Sequence, residues 1–295
     1  MSRVREALTQ AVESVESELK SLLPAGDGLD SRVFEAMTYA LFAGGKRLRP
    51  FFVLTSAELF EVPEAWARRV AAAVEMVHTY SLVHDDLPAM DDDDLRRGQP
   101  TCHVQFDEAT AILAGDALLT LAFGVLAEPE THPDGNVRAE LVAALARAAG
   151  ASGMVGGQMM DLAAEHQELD VGAITRLQRL KTGELIAFSC EAGGILGAAP
   201  AEARTALHAY AHDLGLAFQI TDDLLDETGS ATDLGKAVGK DAAAGKATFV
   251  SILGVEGARR QAVMLAEQAV EHLDLFGKKA DLLRDIARYV VDRRG

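Results

Sequence analysis

The stretch from Val83 to Gly98, VHDDLPAMDDDDLRRG, constrains the fold of this chain more than any other. Six aspartates fall within the ten residues Asp85 to Asp94, and Arg96 and Arg97 follow at once. Met76, Val77, Tyr80, Leu82 and Val83 precede it with the spacing of an apolar helix that runs directly into Asp85. A carboxylate pair at the inner end of a buried helix costs several kcal/mol unless a cation or charged partner meets it. A run of like charge is ordinarily a solvated loop, and for Asp91 to Asp94 alone that reading stands. The helix in front of Asp85 shifts the balance. A second acidic cluster, Asp222-Asp223-Leu224-Leu225-Asp226, ends another long helical run. Two such clusters with Lys or Arg nearby point to one chemistry. Carboxylates hold Mg²⁺, Mg²⁺ holds phosphate oxygens, and basic side chains take the remaining phosphate charge.

The spacings carry geometry. Asp222 and Asp226 are i and i+4 on one helix face, and Asp223 is three residues from Asp226, so the three can converge. Asp85 and Asp91 would lie about 240° apart on a straight helix, and Pro88 disfavours helix just before it. The helix is therefore expected to end at Asp85 and Asp86, with a loop returning Asp91 to the same metal.

Composition narrows the class. At 295 residues the chain can bury a substantial core. It is rich in Ala and Leu, and aromatics are only 5%, which favours helix packing over sheets. A formal net charge of −17 argues against nucleic acid or an anionic membrane surface as partner. Cys102 and Cys190 have neither metal nor disulfide spacing and read as thiols in a reducing cytoplasm. The N-terminus opens a charged amphipathic segment, unlike a signal peptide. No apolar run is expected to reach the roughly 18 residues that span a bilayer.

In order, helical patterns cover residues 3–23, 31–43, 51–60 and 64–86. They resume over 107–127, 137–149, 152–165 and 171–197, the last as one helix or as two broken near Lys181-Thr182-Gly183, and then over 202–226, 248–275 and 279–292. Gly44-Gly45 ends the second helix. Lys46-Arg47-Leu48-Arg49 then sets three cations in four residues, either a cap answering the helix dipole or an anion site. Arg96 to Pro100 reads as loop. Residues 229–245 form a polar loop with Lys236 and Lys240, and Lys246 follows. No strand signature, fixed-period repeat, phosphate-cradling glycine loop or zinc pattern is present. The expectation is one all-α domain over residues 1–295, with phosphate handled by metals and side chains.

These motifs, taken in order, resemble the trans-prenyl diphosphate synthases, and most closely the bacterial ones that form the C15 product, over nearly the whole chain. They are Gly44 to Pro50, Asp85-Asp86-x-x-x-x-Asp91 with Arg96-Arg97-Gly98, Gly157-Gln158-x-x-Asp161-Leu162, Lys181-Thr182-Gly183, and Phe218-Gln219-x-x-Asp222-Asp223-x-x-Asp226. The resemblance implies a helical bundle of isoprenoid synthase type around a deep central cavity, usually a homodimer. The implied reaction is head-to-tail condensation of isopentenyl diphosphate with dimethylallyl or geranyl diphosphate, giving farnesyl diphosphate and pyrophosphate.

By the same resemblance, Asp85, Asp86 and Asp91 hold two Mg²⁺ and Asp222 a third, supported by Asp226. Arg96, Lys181, Lys236 and Lys246 add charge on the allylic diphosphate. Thr182, Gln219 and the Lys181 carbonyl face the cation. Isopentenyl diphosphate sits on Lys46, Arg49, His78 and Arg97. Tyr80, five residues or about 7.5 Å before Asp85, with small Ser81 beside it, is the implied floor that limits the product to C15. Arg293 and Arg294 are candidates for a closing lid. Four rivals remain. A geranylgeranyl diphosphate synthase would lack an aromatic at Tyr80. A terpene cyclase would need no second basic site. A non-catalytic prenyl-diphosphate-binding subunit could dispense with some aspartates. A metal-buffering acidic protein would not need Lys181, Thr182 and Gln219 in register.

Overall fold

The computed structural model describes residues 2–164, 169–228 and 248–292. Helices dominate: α1 (Ser2–Leu22), α2 (Ser31–Leu41), α3 (Leu48–Leu59), α4 (Glu64–Asp85), the short α5 (Cys102–Gln105), α6 (Glu108–Ala127), α7 (Gly135–Ala149) and α8 (Met154–Ala164). Then follow α9 (Val171–Gln178), a π-helical segment (Arg179–Gly183), α10 (Glu184–Leu196), α11 (Ala201–Thr228), α12 (Phe249–His272), a 3₁₀ segment (Asp274–Ala280) and α13 (Asp281–Asp292). Lys236, Lys240, Lys246, Arg293 and Arg294 lie outside the described residues.

The helix α4 is the axis. Every residue from Val70 to Val77 is buried, so its apolar surface runs all round, as in a helix enclosed by others. It packs against α1, α2, α3, α6 and α10. A second apolar cluster joins α3, α10, α11 and α13, and a third joins α9, α11 and α12. The longest helix, α11, lies along α12 and delivers the second acidic cluster.

Two expectations are corrected, and one open choice is decided. Residues 95–100 are not plain loop but a two-residue antiparallel hairpin, Leu95–Arg96 with Gln99–Pro100. Arg97 and Gly98 form its tip at φ 54° and 77°, the two positive values that a tight hairpin turn requires. The pattern over 171–197 is not broken at Lys181-Thr182-Gly183. It passes through a π turn, which adds a residue to the turn without ending the helix. Finally, α6 is long and apolar enough to cross a membrane by length and composition, with a mean hydropathy of 1.9. Glu108 and Asp116 are its charged residues. Here α6 packs against α2, α4 and α7.

Cys102 and Cys190 are both free and buried. Burial raises the Cys102 thiol to about 11 and the Cys190 thiol well above its ordinary value. Neither is expected to react with a maleimide at pH 7 in the folded protein, and both should label in denaturant, as counted by intact mass. Rapid labelling before unfolding would contradict this packing.

Candidate active site

The aspartate-rich stretch begins where α4 stops. Asp86 caps the helix, and Leu87 N–H bonds the His84 carbonyl at 3.2 Å. The chain then folds back: Asp91 N–H donates to the Asp85 carbonyl at 2.8 Å, and Asp93 N–H to the Asp86 carbonyl at 3.2 Å. Asp92, at φ 52°, makes the reversal. Asp91 thus returns over the helix end while Asp85 and Asp86 stay buried. These carboxylates stand at the negative end of the helix dipole, where an anion is disfavoured. Burial pushes both acids above the ordinary aspartate range.

Cations meet part of that cost. Asp86 accepts both Arg96 Nε contacts, at 2.7 and 2.9 Å, with Arg96 Nη2 at 2.6 Å. The hairpin aims this guanidinium, and the fork geometry is bidentate. Asp85 accepts from Gln158 Nε2 at 2.7 Å and lies 3.8 Å from Lys181 Nζ. Lys181 itself donates to Asp161 at 2.7 Å. Burial opposes the ammonium, but Asp85 and Asp161 outweigh it, and its pKa is raised. Gln158 and Asp161 had been read only as parts of a motif. The structure makes them the supports of Asp85 and Lys181.

The opposite wall comes from α11. Thr182 Oγ1 donates to Gln219 Oε1 at 3.3 Å, and Gln219 Nε2 donates to Asp223 Oδ1 at 3.2 Å. The three aspartates of α11 do not behave alike. Asp223 is buried, and its Oδ2 accepts from Phe249 N–H at 3.0 Å, tying down the start of α12. Asp222 and Asp226 are half-buried one turn apart. The expected convergence of all three is therefore corrected, because a step of one residue, about 100° round the helix, turns Asp223 inward to backbone.

The basic stretch also divides. Arg47 is fully enclosed and bonds Glu75 at 2.7 Å, Glu16 at 3.3 Å and the Leu41 carbonyl at 2.5 Å. It is a structural ion pair, foreshadowed only by Glu75 standing in an apolar run. Arg49 has no carboxylate at ion-pair distance among the described residues, and its Nε is buried without a hydrogen-bond partner. Burial lowers it to about 10. Burial and the neighbouring Arg49 and Arg97 also hold His78 well below its usual pKa. Arg97 donates to the Gly44 carbonyl and lies against Gly45, where a Cβ would fall 2.5 Å from its guanidinium. Gly45 at φ 137° leaves room for that approach. Lys46 is exposed beside them. A crowd of mutually repelling cations with one unpaired nitrogen is a site built for an anion.

Tyr80 is buried, packs edge-on against His84 with centroids 5.7 Å apart, and is raised to about 12 by burial and Asp85. Ser81 Oγ donates to the His78 carbonyl at 2.8 Å.

The donor chemistry fits Mg²⁺. Asp85, Asp86 and Asp91 offer hard oxygens, and their own arrangement carries an unfavourable burial that a cation relieves. Among the described residues no three metal-ligating side chains already converge.

The family model for polyprenyl synthetase matches residues 30–284. The chain is 45% identical over 266 residues to a farnesyl diphosphate synthase of Escherichia coli strain K12, covering 88% of this chain and 89% of that one. It is 40% identical over 287 residues to a geranylgeranyl diphosphate synthase of Cyanophora paradoxa, covering 97% and 95%. Among solved structures, an FPP/GFPP synthase from Zymomonas mobilis superposes with a TM-score of 0.90 at 49% identity, over 98% of this chain and 99% of that one.

Proposed function

The chain belongs to the polyprenyl synthetase family, and on that premise we propose that it is a prenyltransferase that makes farnesyl diphosphate. It condenses isopentenyl diphosphate with dimethylallyl or geranyl diphosphate and releases pyrophosphate. One observation carries the reading. The buried acidic end of α4 is connected through Lys181 to the π segment, whose next residue, Thr182, reaches Gln219 on α11. Phosphate-facing charge and cation-facing dipoles therefore sit on adjacent residues.

The barrier is ionisation of the allylic C–O bond, so catalysis means stabilising pyrophosphate as it departs. Mg²⁺ held by Asp85, Asp86, Asp91, Asp222 and Asp226 would supply Lewis acidity to that leaving group. Arg96 and Lys181 add fixed positive charge, and Asp161 keeps the ammonium aimed. On the carbon side the allylic cation needs dipoles and no nucleophile. The Thr182 hydroxyl, the Gln219 carboxamide oxygen and the Lys181 carbonyl supply them. Isopentenyl diphosphate takes the basic pocket of Lys46, Arg49, His78 and Arg97, where His78 binds as a neutral imidazole. The new C–C bond leaves a cation on the isopentenyl unit, and the departing pyrophosphate accepts the proton that the neighbouring C2 carbon loses as the new double bond forms. Lys236 and Lys246 are proposed as further phosphate ligands by the family resemblance alone.

The product is set at C15 by Tyr80. Tyr80→Ala is expected to move output toward C20 or longer, as read by mass spectrometry of the hydrolysed products. Unchanged C15 would remove Tyr80 as the floor. The C20 reading keeps some support from the Cyanophora paradoxa relative, and the same assay decides it. The purified protein is incubated with isopentenyl diphosphate, geranyl diphosphate and Mg²⁺. Dominant C15 supports the assignment, dominant C20 moves the floor elsewhere, and no condensation by folded protein overturns it.

We further propose a homodimer through the outer face of α6. That helix is mostly apolar, yet Ile112 and Leu113 are 44% and 58% exposed, beside exposed Asp116 and Thr120. A helix of this kind is normally enclosed, and a second copy of the same face would enclose it by two-fold symmetry. The two buried thiols suit a reducing cytoplasm.

A further inference from the structure

On the far side of the π segment, α11 carries His208 and His212 one turn apart, and α10 carries Glu184 and Glu191 two turns apart. The two imidazoles lie edge to face, with centroids 4.3 Å apart, and their Nε2 atoms approach to 2.8 Å. His208 uses its other nitrogen, Nδ1, to bond the Glu191 carboxylate. None of these side chains takes part in the prenyl-transfer chemistry described above.

We propose that His208 and His212 form a surface site for a borderline divalent transition-metal ion, Cu²⁺, Ni²⁺ or Zn²⁺, chelated by the two Nε2 atoms and completed by water. Three features support it. Residues i and i+4 share a helix face, which is the spacing that lets two imidazoles meet one ion. Metal–nitrogen bonds of about 2.0–2.1 Å in tetrahedral geometry place the two nitrogens roughly 3.3 Å apart, and the present separation of 2.8 Å is close to that span. The Glu191 carboxylate on His208 Nδ1 is the outer-shell arrangement that fixes the ring and its tautomer for metal binding through Nε2. The electrostatics are mixed. Glu191 and Glu184 favour a cation, and exposed Arg179 opposes one. Burial holds His212 neutral, with a pKa lowered to about 4, whereas the Glu191 hydrogen bond raises that of His208, so a metal ion must displace a proton there. Binding releases the proton now shared between the rings. Imidazole nitrogens distinguish this site from the aspartate site, whose oxygens suit Mg²⁺, and among these metals Cu²⁺ should bind most tightly.

The test uses the full chain with excess Mg²⁺ and Cu²⁺ as probe. Electron paramagnetic resonance is expected to show one bound Cu²⁺ coupled to two imidazole nitrogens. His212→Ala should remove one nitrogen coupling and weaken binding at least ten-fold. Glu191→Gln should weaken it by about ten-fold with both couplings kept. Condensation activity, measured with Cu²⁺ absent, should be unchanged in each variant, which also reports that they fold. Cu²⁺ that fails to bind, or two-nitrogen coupling that survives in the His208→Gln/His212→Ala double variant, would overturn the proposal.

Discussion

Asp85→Asn is expected to lower kcat for Mg²⁺-dependent condensation by about 10³-fold, a size typical of losing one well-placed charge-stabilising group, while leaving the melting temperature unchanged or slightly higher. The two outcomes share one cause. Asp85 is buried at the negative end of α4, and burial disfavours its charged form. Asparagine has nearly the same shape, and its amide oxygen can still accept from Gln158, so the fold loses little. What disappears is the negative charge that attracts the cation and faces Lys181. Lys181 keeps Asp161 at 2.7 Å, so its own position should hold. A group that costs stability and supplies rate is what an active site under strain looks like. Steady-state kinetics at saturating Mg²⁺ and a thermal melt on the same preparation check both halves. A kcat within ten-fold of the parent would remove Asp85 from the metal site. A melting temperature lowered by many degrees would make its role structural.

Much of this was legible in the sequence, and the exceptions have physical reasons. Helical periodicity located α4 and α11 because each buries apolar residues over many turns, a signal that repeats. The fold-back of Asp91 followed from its six-residue spacing and Pro88. The π turn at Arg179–Gly183 was not legible, because one extra residue in a turn leaves the apolar pattern almost intact and shows only as a break near Gly183. The hairpin at Leu95–Pro100 escaped because two-residue strands carry no alternation; its one local sign is Gly98 after Arg97. Arg47 and Arg49 look alike in the chain, yet Arg47 is bound by Glu75 and Arg49 has no such partner. Only the register of α3 against α4 separates them. Asp223 was grouped with Asp222 and Asp226 for the same reason. It accepts from Gln219 one turn back and from the backbone N–H of Phe249, 26 residues away, and nothing local announces the second.

Gly157→Ala carries the second large effect, and it tests how the site is held. The helix α8 crosses the π segment at this glycine, and a Cβ there would sit 2.2 Å from Lys181 N and 2.5 Å from its Cα. Both are backbone atoms, so no side chain can swing aside. Either α8 or the π segment must move, by something like 1 Å. Overpacking of this kind typically costs about 1–3 kcal/mol, which should appear as a clear drop in melting temperature. The catalytic cost should be of similar size. The displaced segment carries Lys181, which faces Asp85 and Asp161, and Thr182, which bonds Gln219. Gln158, next to the substitution, orients Asp85. A shift of about 1 Å in such a group is worth roughly 10² in rate. We expect kcat to fall by about that factor, with KM for isopentenyl diphosphate nearly unchanged, because Arg49, His78 and Arg97 belong to α3, α4 and the hairpin. Equal losses in kcat and in affinity for isopentenyl diphosphate would mean that the two halves of the site are not held independently. A variant with native kcat would show that the π segment does not position Lys181.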